Sequence, residues 1–91
     1  MAKKDRWEIV LTKPAEKVYG KSSKEMHRRL DRCFEILEKK PHHGKNIKNL
    51  TGELKGLLRY RVGDWRVIYR LFQETTVVEI IAILPRGNAY K

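Results

Sequence analysis

The chain has a single cysteine, Cys33, among 91 residues, which excludes an internal disulfide framework and a multi-cysteine zinc site. It also lacks any long apolar run. The longest, "IIAIL" (Ile80–Leu84), falls far short of the roughly 18 residues of a membrane helix. The basic start "MAKKDRWEIVL" is followed too soon by "TKPAEK" to supply the apolar stretch of a secretory leader, so a reducing cytoplasm is the expected location. Acids are scarce, 11 against 21 Lys and Arg, leaving a net charge of +10 and a pI near 10.0. Such an excess favours a polyanionic partner, nucleic acid first and an anionic membrane second, with solubility or an acidic protein partner as the alternative. What is present is ordinary for one soluble domain spanning residues 1–91, at 41% hydrophobic and 35% charged.

"RWEIVL" (Arg6–Leu11) is rich in strand formers and reads as a first strand. Thr12 caps a short helix with Pro14 near its start, and the helix is expected to run to Tyr19 and end at Gly20. Ser22 or Ser23 caps a longer one. In it Met26, Leu30, Cys33, Phe34 and Leu37 share a face, and Pro41 closes it. Residues Pro41–Gly56 read as loop, pinned by Ile47, Leu50 and Leu54. A hairpin follows, then a loop around "QETT" (Gln73–Thr76). "VVEIIAIL" (Val77–Leu84) is apolar on both faces, as a central strand requires, and Pro85 stops it. The expected fold is α+β, in the order β-α-α-β-β-β, with two helices on a small twisted, mainly antiparallel sheet.

The hairpin "GLLRYRVGDWRVIYR" (Gly56–Arg70) raises the sharpest question. A two-residue turn at Gly63-Asp64 sets Val62 opposite Trp65, Tyr60 opposite Val67 and Leu58 opposite Tyr69, so these residues share a face to be buried. The other face carries Leu57, Arg59, Arg61, Arg66, Ile68, Arg70 and Phe72, with Arg61 directly opposite Arg66. Like charges so placed repel. A solvated outer face is one reading. The other is an anion site, because arginine stays charged and grips phosphate bidentately.

With those residues in view, "RYRVGDWRVIYRL", the apolar strand after it and the tail "LPRGNAYK" resemble the RelE/ParE superfamily of bacterial and archaeal toxins, on the RelE-like side. The helical half and "KNLTGELKG" match in order and length. The resemblance implies a RelE-like fold and a toxin paired with an antitoxin that is acidic or carries an amphipathic segment. It also implies mRNA cleavage in the ribosomal A site, by attack of a ribose 2′-OH on the adjacent phosphate. By position, the family's basic pair on the first hairpin strand falls on Arg59 and Arg61, its second-strand arginine on Arg66, and its tail residues on Arg86 and Tyr90. The resemblance then gives Arg66 and Arg86 the scissile phosphate, Arg59 and Arg61 the backbone, and Tyr90 base stacking or proton transfer. Three departures bear on the general base. Arginines replace the lysines of RelE on the first strand, Lys48 stands near a glutamate of related toxins, and Ala89 and Pro85 stand where others carry histidine. Two other readings stay open, a ParE-like toxin that poisons DNA gyrase and a non-catalytic RNA-binding module.

Lys24, Arg28 and Arg32, one helical turn apart, with Lys48 and Lys55 ahead of the hairpin, are candidate contacts for RNA or the ribosome. His42-His43 has the chemistry of an acid–base pair, but adjacent loop residues point apart and no third metal ligand stands at useful spacing. No metal or cofactor is expected. Cys33 lies on an apolar helix face and reads as core, and His27 as surface. Trp7 is read either as packing on an edge strand or as part of a groove for the antitoxin.

Overall fold

Thr12 ends the first strand and starts the first helix. In the computed structural model, which describes residues 6–85, β1 covers Glu8–Leu11 and α1 covers Lys13–Lys21. The Thr12 Oγ1 accepts the Ala15 N–H at 3.4 Å and donates to the Ile81 carbonyl at 2.8 Å, so one hydroxyl caps the helix and ties it to a distant strand. The helix runs through Gly20 instead of ending there. Ser22 closes it, its hydroxyl and N–H both donating to the Tyr19 carbonyl at 2.7 and 3.2 Å. With that carbonyl satisfied, no left-handed glycine is needed. Ser23 caps α2 (Lys24–Lys39), accepting the Met26 N–H at 3.1 Å. Leu30, Cys33 and Leu37 are buried, with Met26 and Phe34 packed beside them.

The stretch expected to be loop holds more structure than that. Ile47–Asn49 form a short strand, β2, and Gly52–Leu54 a single 3₁₀ turn. Then come β3 (Leu58–Val62), β4 (Trp65–Phe72) and β5 (Val77–Pro85). Three residues are too few to show a period, and pairing with β3 decides their state. Ile47 stands opposite Tyr60, Lys48 opposite Arg59 and Asn49 opposite Leu58. Pro85 belongs to the end of β5, opposite Trp65, a position where a proline is tolerated.

The sheet order is β1-β5-β4-β3-β2, with β1 parallel to β5 and the other neighbours antiparallel. Both helices cover one face. There Leu58, Tyr60, Val62, Val67, Tyr69, Val78, Ile80 and Ile83 meet Ala15, Leu30, Cys33 and Leu37. Burying each large side chain contributes about 1.5–3 kcal/mol. Tyr69, fully buried, donates its hydroxyl to the Pro41 carbonyl at 2.8 Å and so anchors the chain leaving α2. A bulge in β5 explains its two-sided apolar pattern. Ile68 pairs with Ala82 and Tyr69 with Ile80, so Ile81 is the extra residue. The shift lets Ile80 and Ile83, three apart, both face the core. The freed Ile81 carbonyl is the one that takes the Thr12 hydroxyl.

Candidate nucleic-acid interface

The face of the sheet away from the helices is where the arginines lie. Strands β3 and β4 are paired on both sides, so their side chains are held by backbone bonds rather than by loops. Arg61 stands directly opposite Arg66. One row along, Lys48, Arg59, Ile68 and Ala82 line up across four strands. Ile68 was expected on an open face, yet it is only 6% exposed. The half-buried Arg59 and Arg66 flank it, and long basic side chains cover apolar surface with their stems while keeping their heads in water.

The arginines differ in what holds them. Arg66 Nη1 donates to the Trp65 carbonyl at 3.2 Å, which fixes the guanidinium near its own strand. Arg59 Nη2 lies 3.5 Å from the Asn46 carbonyl, and its Nε is buried without a hydrogen-bond partner. Arg61 is exposed. Among the described residues, none of the three pairs with an acid. Arg70 does: it meets Glu79 at 3.3 Å and lies over the Phe72 ring at 5.1 Å. The outer face is therefore split between three unneutralised arginines toward the β2 edge and a paired one beside exposed Phe72 and Val10. Sequence reading placed Arg70 with the rest. Glu79, its neighbour across β5, is the signal that separates it. Asn46 was also missed, because a backbone carbonyl leaves no mark on residue type. It accepts the Arg61 N–H at 2.9 Å as well as the contact from Arg59.

Chemically this face can bind and stabilise negative charge, since guanidinium groups on paired strands need no reorganisation when charge develops. The three arginines toward the β2 edge are hydrogen-bond donors only, so they themselves supply no proton acceptor. Arg86 and Tyr90 lie outside the described residues.

The other candidates divide by place. Lys48 joins the arginine face, opposite Arg59. Lys24, Arg28 and Arg32 are exposed on α2, which packs on the opposite side of the sheet, so they form a second basic surface and cannot reach the same phosphate. Lys55 closes the 3₁₀ turn before β3, its N–H donating to Gly52. His42 and His43 part company, as expected of neighbours in a loop. His42 meets Gln73 at 2.8 Å and the edge of Trp7 at 5.3 Å, while His43 lines a groove beside α2. Trp7 packs against the core ahead of β1, its N–H donating to the Glu38 carbonyl at 2.7 Å. His27, expected at the surface, is half-buried against the Tyr19 ring at 4.0 Å, with Nδ1 3.2 Å from the Ser22 hydroxyl. The Tyr19 hydroxyl donates to Asp31, and that bond, with burial and the Asp31 charge, pushes its pKa up to about 12. Cys33 is core, its thiol pushed well up by burial and so unsuited to nucleophilic work.

Comparison with known proteins agrees with this fold. The sequence profile of the ParE toxin of type II toxin-antitoxin system, parDE, matches residues 2–90. The archaeal RelE of a RelE–RelB complex from Pyrococcus horikoshii is 30% identical, with a TM-score of 0.77, over 92% of this chain and 99% of that one. A chain of the RelBE2 toxin–antitoxin complex of Mycobacterium tuberculosis is 24% identical at a TM-score of 0.78, over 89% and 99%. The isolated E. coli RelE toxin shares the fold at 16% identity and a TM-score of 0.76, over 92% and 88%. Among curated protein sequences none matches.

Proposed function

The chain belongs to the ParE toxin family of type II toxin–antitoxin systems, within the RelE/ParE superfamily, and on that footing we propose that it is a ribosome-dependent endoribonuclease. The observation that carries this reading is the Arg61–Arg66 pair, two like charges opposed on paired strands, neither of them paired with an acid among the described residues. Such an arrangement costs stability in the free protein and gains when a phosphate enters.

In the proposed reaction the toxin acts in the cytoplasm on mRNA in the ribosomal A site. The 2′-oxygen attacks the adjacent phosphorus and gives up its proton. The P–O5′ bond breaks, leaving a 2′,3′-cyclic phosphate, and the 5′-oxygen takes a proton. Arg66 meets the charge growing on the phosphoryl oxygens, with Arg86 as its partner. Arg61 and Arg59 hold the backbone on either side. Tyr90 is assigned to the substrate base or to proton transfer. Lys48 extends the phosphate track, and Lys24, Arg28, Arg32 and Lys55 are assigned to contacts with RNA or the ribosome. The antitoxin is a chain with an acidic or amphipathic segment, consistent with the RelB-bound relative.

The family profile carries the ParE name, which favours DNA gyrase inhibition as the second reading. Translating ribosomes incubated with the protein should show cuts in the A-site codon while gyrase supercoiling proceeds normally. Intact mRNA with blocked supercoiling selects the second reading.

A further inference from the structure

The β2 edge has a second side. The connection from Pro41 to β2 and the C-terminal half of α2 enclose a groove of about 400 Å³. Exposed Arg32, Lys40 and Lys45 line it, together with Ile36, Ile47 and the nearly buried Tyr60. Among the described residues, no acid contributes to its walls and none of its three cations forms an ion pair. Ile36 is 36% exposed, one of three large hydrophobic side chains left so among the described residues.

Two bland accounts fall short. Cations gather at a helix C-terminus because they meet the negative end of its dipole. That covers Lys40, but not Arg32 two turns earlier or Lys45 beyond the helix. A solvated cationic surface covers all three, but it has no use for an uncovered isoleucine beside them. Cations over an apolar floor form a combination suited to single-stranded nucleic acid, whose phosphates need charge and whose unstacked bases need an apolar surface.

The groove is also continuous with the arginine face. Asn46 lines it, and the Asn46 carbonyl is the one that accepts from the Arg61 N–H and faces the Arg59 guanidinium. Only the three residues of β2 separate the two. A strand leaving Arg61 past Lys48 and over that edge would arrive between Lys45 and Arg32.

Resting on the reading of this chain as an RNA-directed toxin, we propose that the groove is a single-stranded RNA subsite. Arg32, Lys40 and Lys45 hold the phosphodiesters there, and one unstacked base lies against Ile36 and Ile47. It serves the nucleotides flanking the one at the arginine pair, so it adds affinity and register rather than chemistry.

The test measures binding without cleavage. Labelled 2′-O-methyl RNAs of about four and about ten nucleotides, which lack the attacking hydroxyl, are titrated by fluorescence anisotropy across a salt series. The longer RNA should bind the wild-type protein about tenfold more tightly, and Arg32→Ala/Lys45→Ala should lose most of that advantage. The slope of log K against log salt should fall by about 1.4 in that variant, about 0.7 for each phosphate contact removed. Ile36→Ala should weaken the longer RNA several-fold at unchanged slope, because it removes apolar contact and no charge. All three positions are exposed, and matching melting curves establish that the variants are folded.

The proposal is overturned if the wild-type protein shows no length advantage, or if the double variant keeps both affinity and slope. It is equally overturned if the double variant keeps RNA binding and instead loses a poly-glutamate peptide, which would make the groove a seat for an acidic protein segment. A loss of ribosomal cutting in other assays would overturn the nuclease reading and leave these titrations standing. Intact cutting with flat titrations would do the reverse.

Discussion

Replacing Arg66 with alanine separates chemistry from stability. If the Arg61 and Arg66 guanidinium groups splay to roughly 8 Å through water, their repulsion is about 0.5 kcal/mol, and the substitution relieves it. Against that relief stand the 3.2 Å bond to the Trp65 carbonyl, which contributes about 0.5–1.5 kcal/mol net, and the stem beside Ile68. The terms nearly cancel, so melting should shift by less than about 4 °C, the equivalent of under about 1 kcal/mol in a domain this small. Arg61→Ala makes the contrast, since Arg61 is exposed and has no such bond to lose. It should melt slightly higher than wild type at low salt, and the gain should vanish as ionic strength rises. Cleavage behaves differently. Single-turnover cutting of mRNA on ribosomes should fall by about 10²–10³ for Arg66→Ala, the effect of removing one preorganised donor to a developing charge. The assay pairs thermal melting with single-turnover rates corrected for folded fraction. An Arg66→Ala protein that melts much earlier and yet cuts at the wild-type rate once folded would show the arginine to be structural and remove the basis of the site.

Gly63→Ala should cost about 1–2 kcal/mol by chemical denaturation, because its φ of +57° is left-handed. The new Cβ would meet only the movable end of Arg29 at 2.9 Å, so Arg29→Ala in the same chain should recover little of that loss. The Cys33 thiol should resist a disulfide reagent in the folded protein and react at once in denaturant, and prompt labelling of native protein would place it outside the core. Tyr19 has its folded pKa raised from 10.0 to about 12, so the neutral phenol is the form the fold favours. Its stability contribution is complete below pH 10 and is lost between pH 10 and 12. Tyr19→Phe should flatten that part of the alkaline denaturation curve relative to wild type.

Much of this was legible in the chain because it rests on local rules. The Gly63-Asp64 turn fixes the hairpin register, and the register alone puts Arg61 against Arg66. The serine and threonine caps and the Leu30–Cys33–Leu37 stripe are likewise short-range signals. What escaped depends on partners far away in sequence. β2 exists because β3 is beside it, and Ile68 is buried because arginines flank it. Arg70 is neutralised by a glutamate nine residues on, and Asn46 acts through its carbonyl. The split of basic residues between two sides of the sheet could not be read from their types, only from where α2 lies.

The parallel pairing of β1 with β5 also sets an order of assembly. Strands β2, β3 and β4 form a meander of near neighbours that can pair as soon as each is made. β1 has no partner in the sheet until β5 exists, and neither α1's tie to Ile81 nor the Ile80–Ile83 side of the core can form before then. Such long-range closure is the slow step in folding a small domain. The apolar face of α2 can pack on the hairpin before then, whereas β1 waits for β5, its neighbour in the sheet. Only residues 73–76 separate β4 from β5, so β1 and the tie from Thr12 are the last pieces to close, once the final strand is complete.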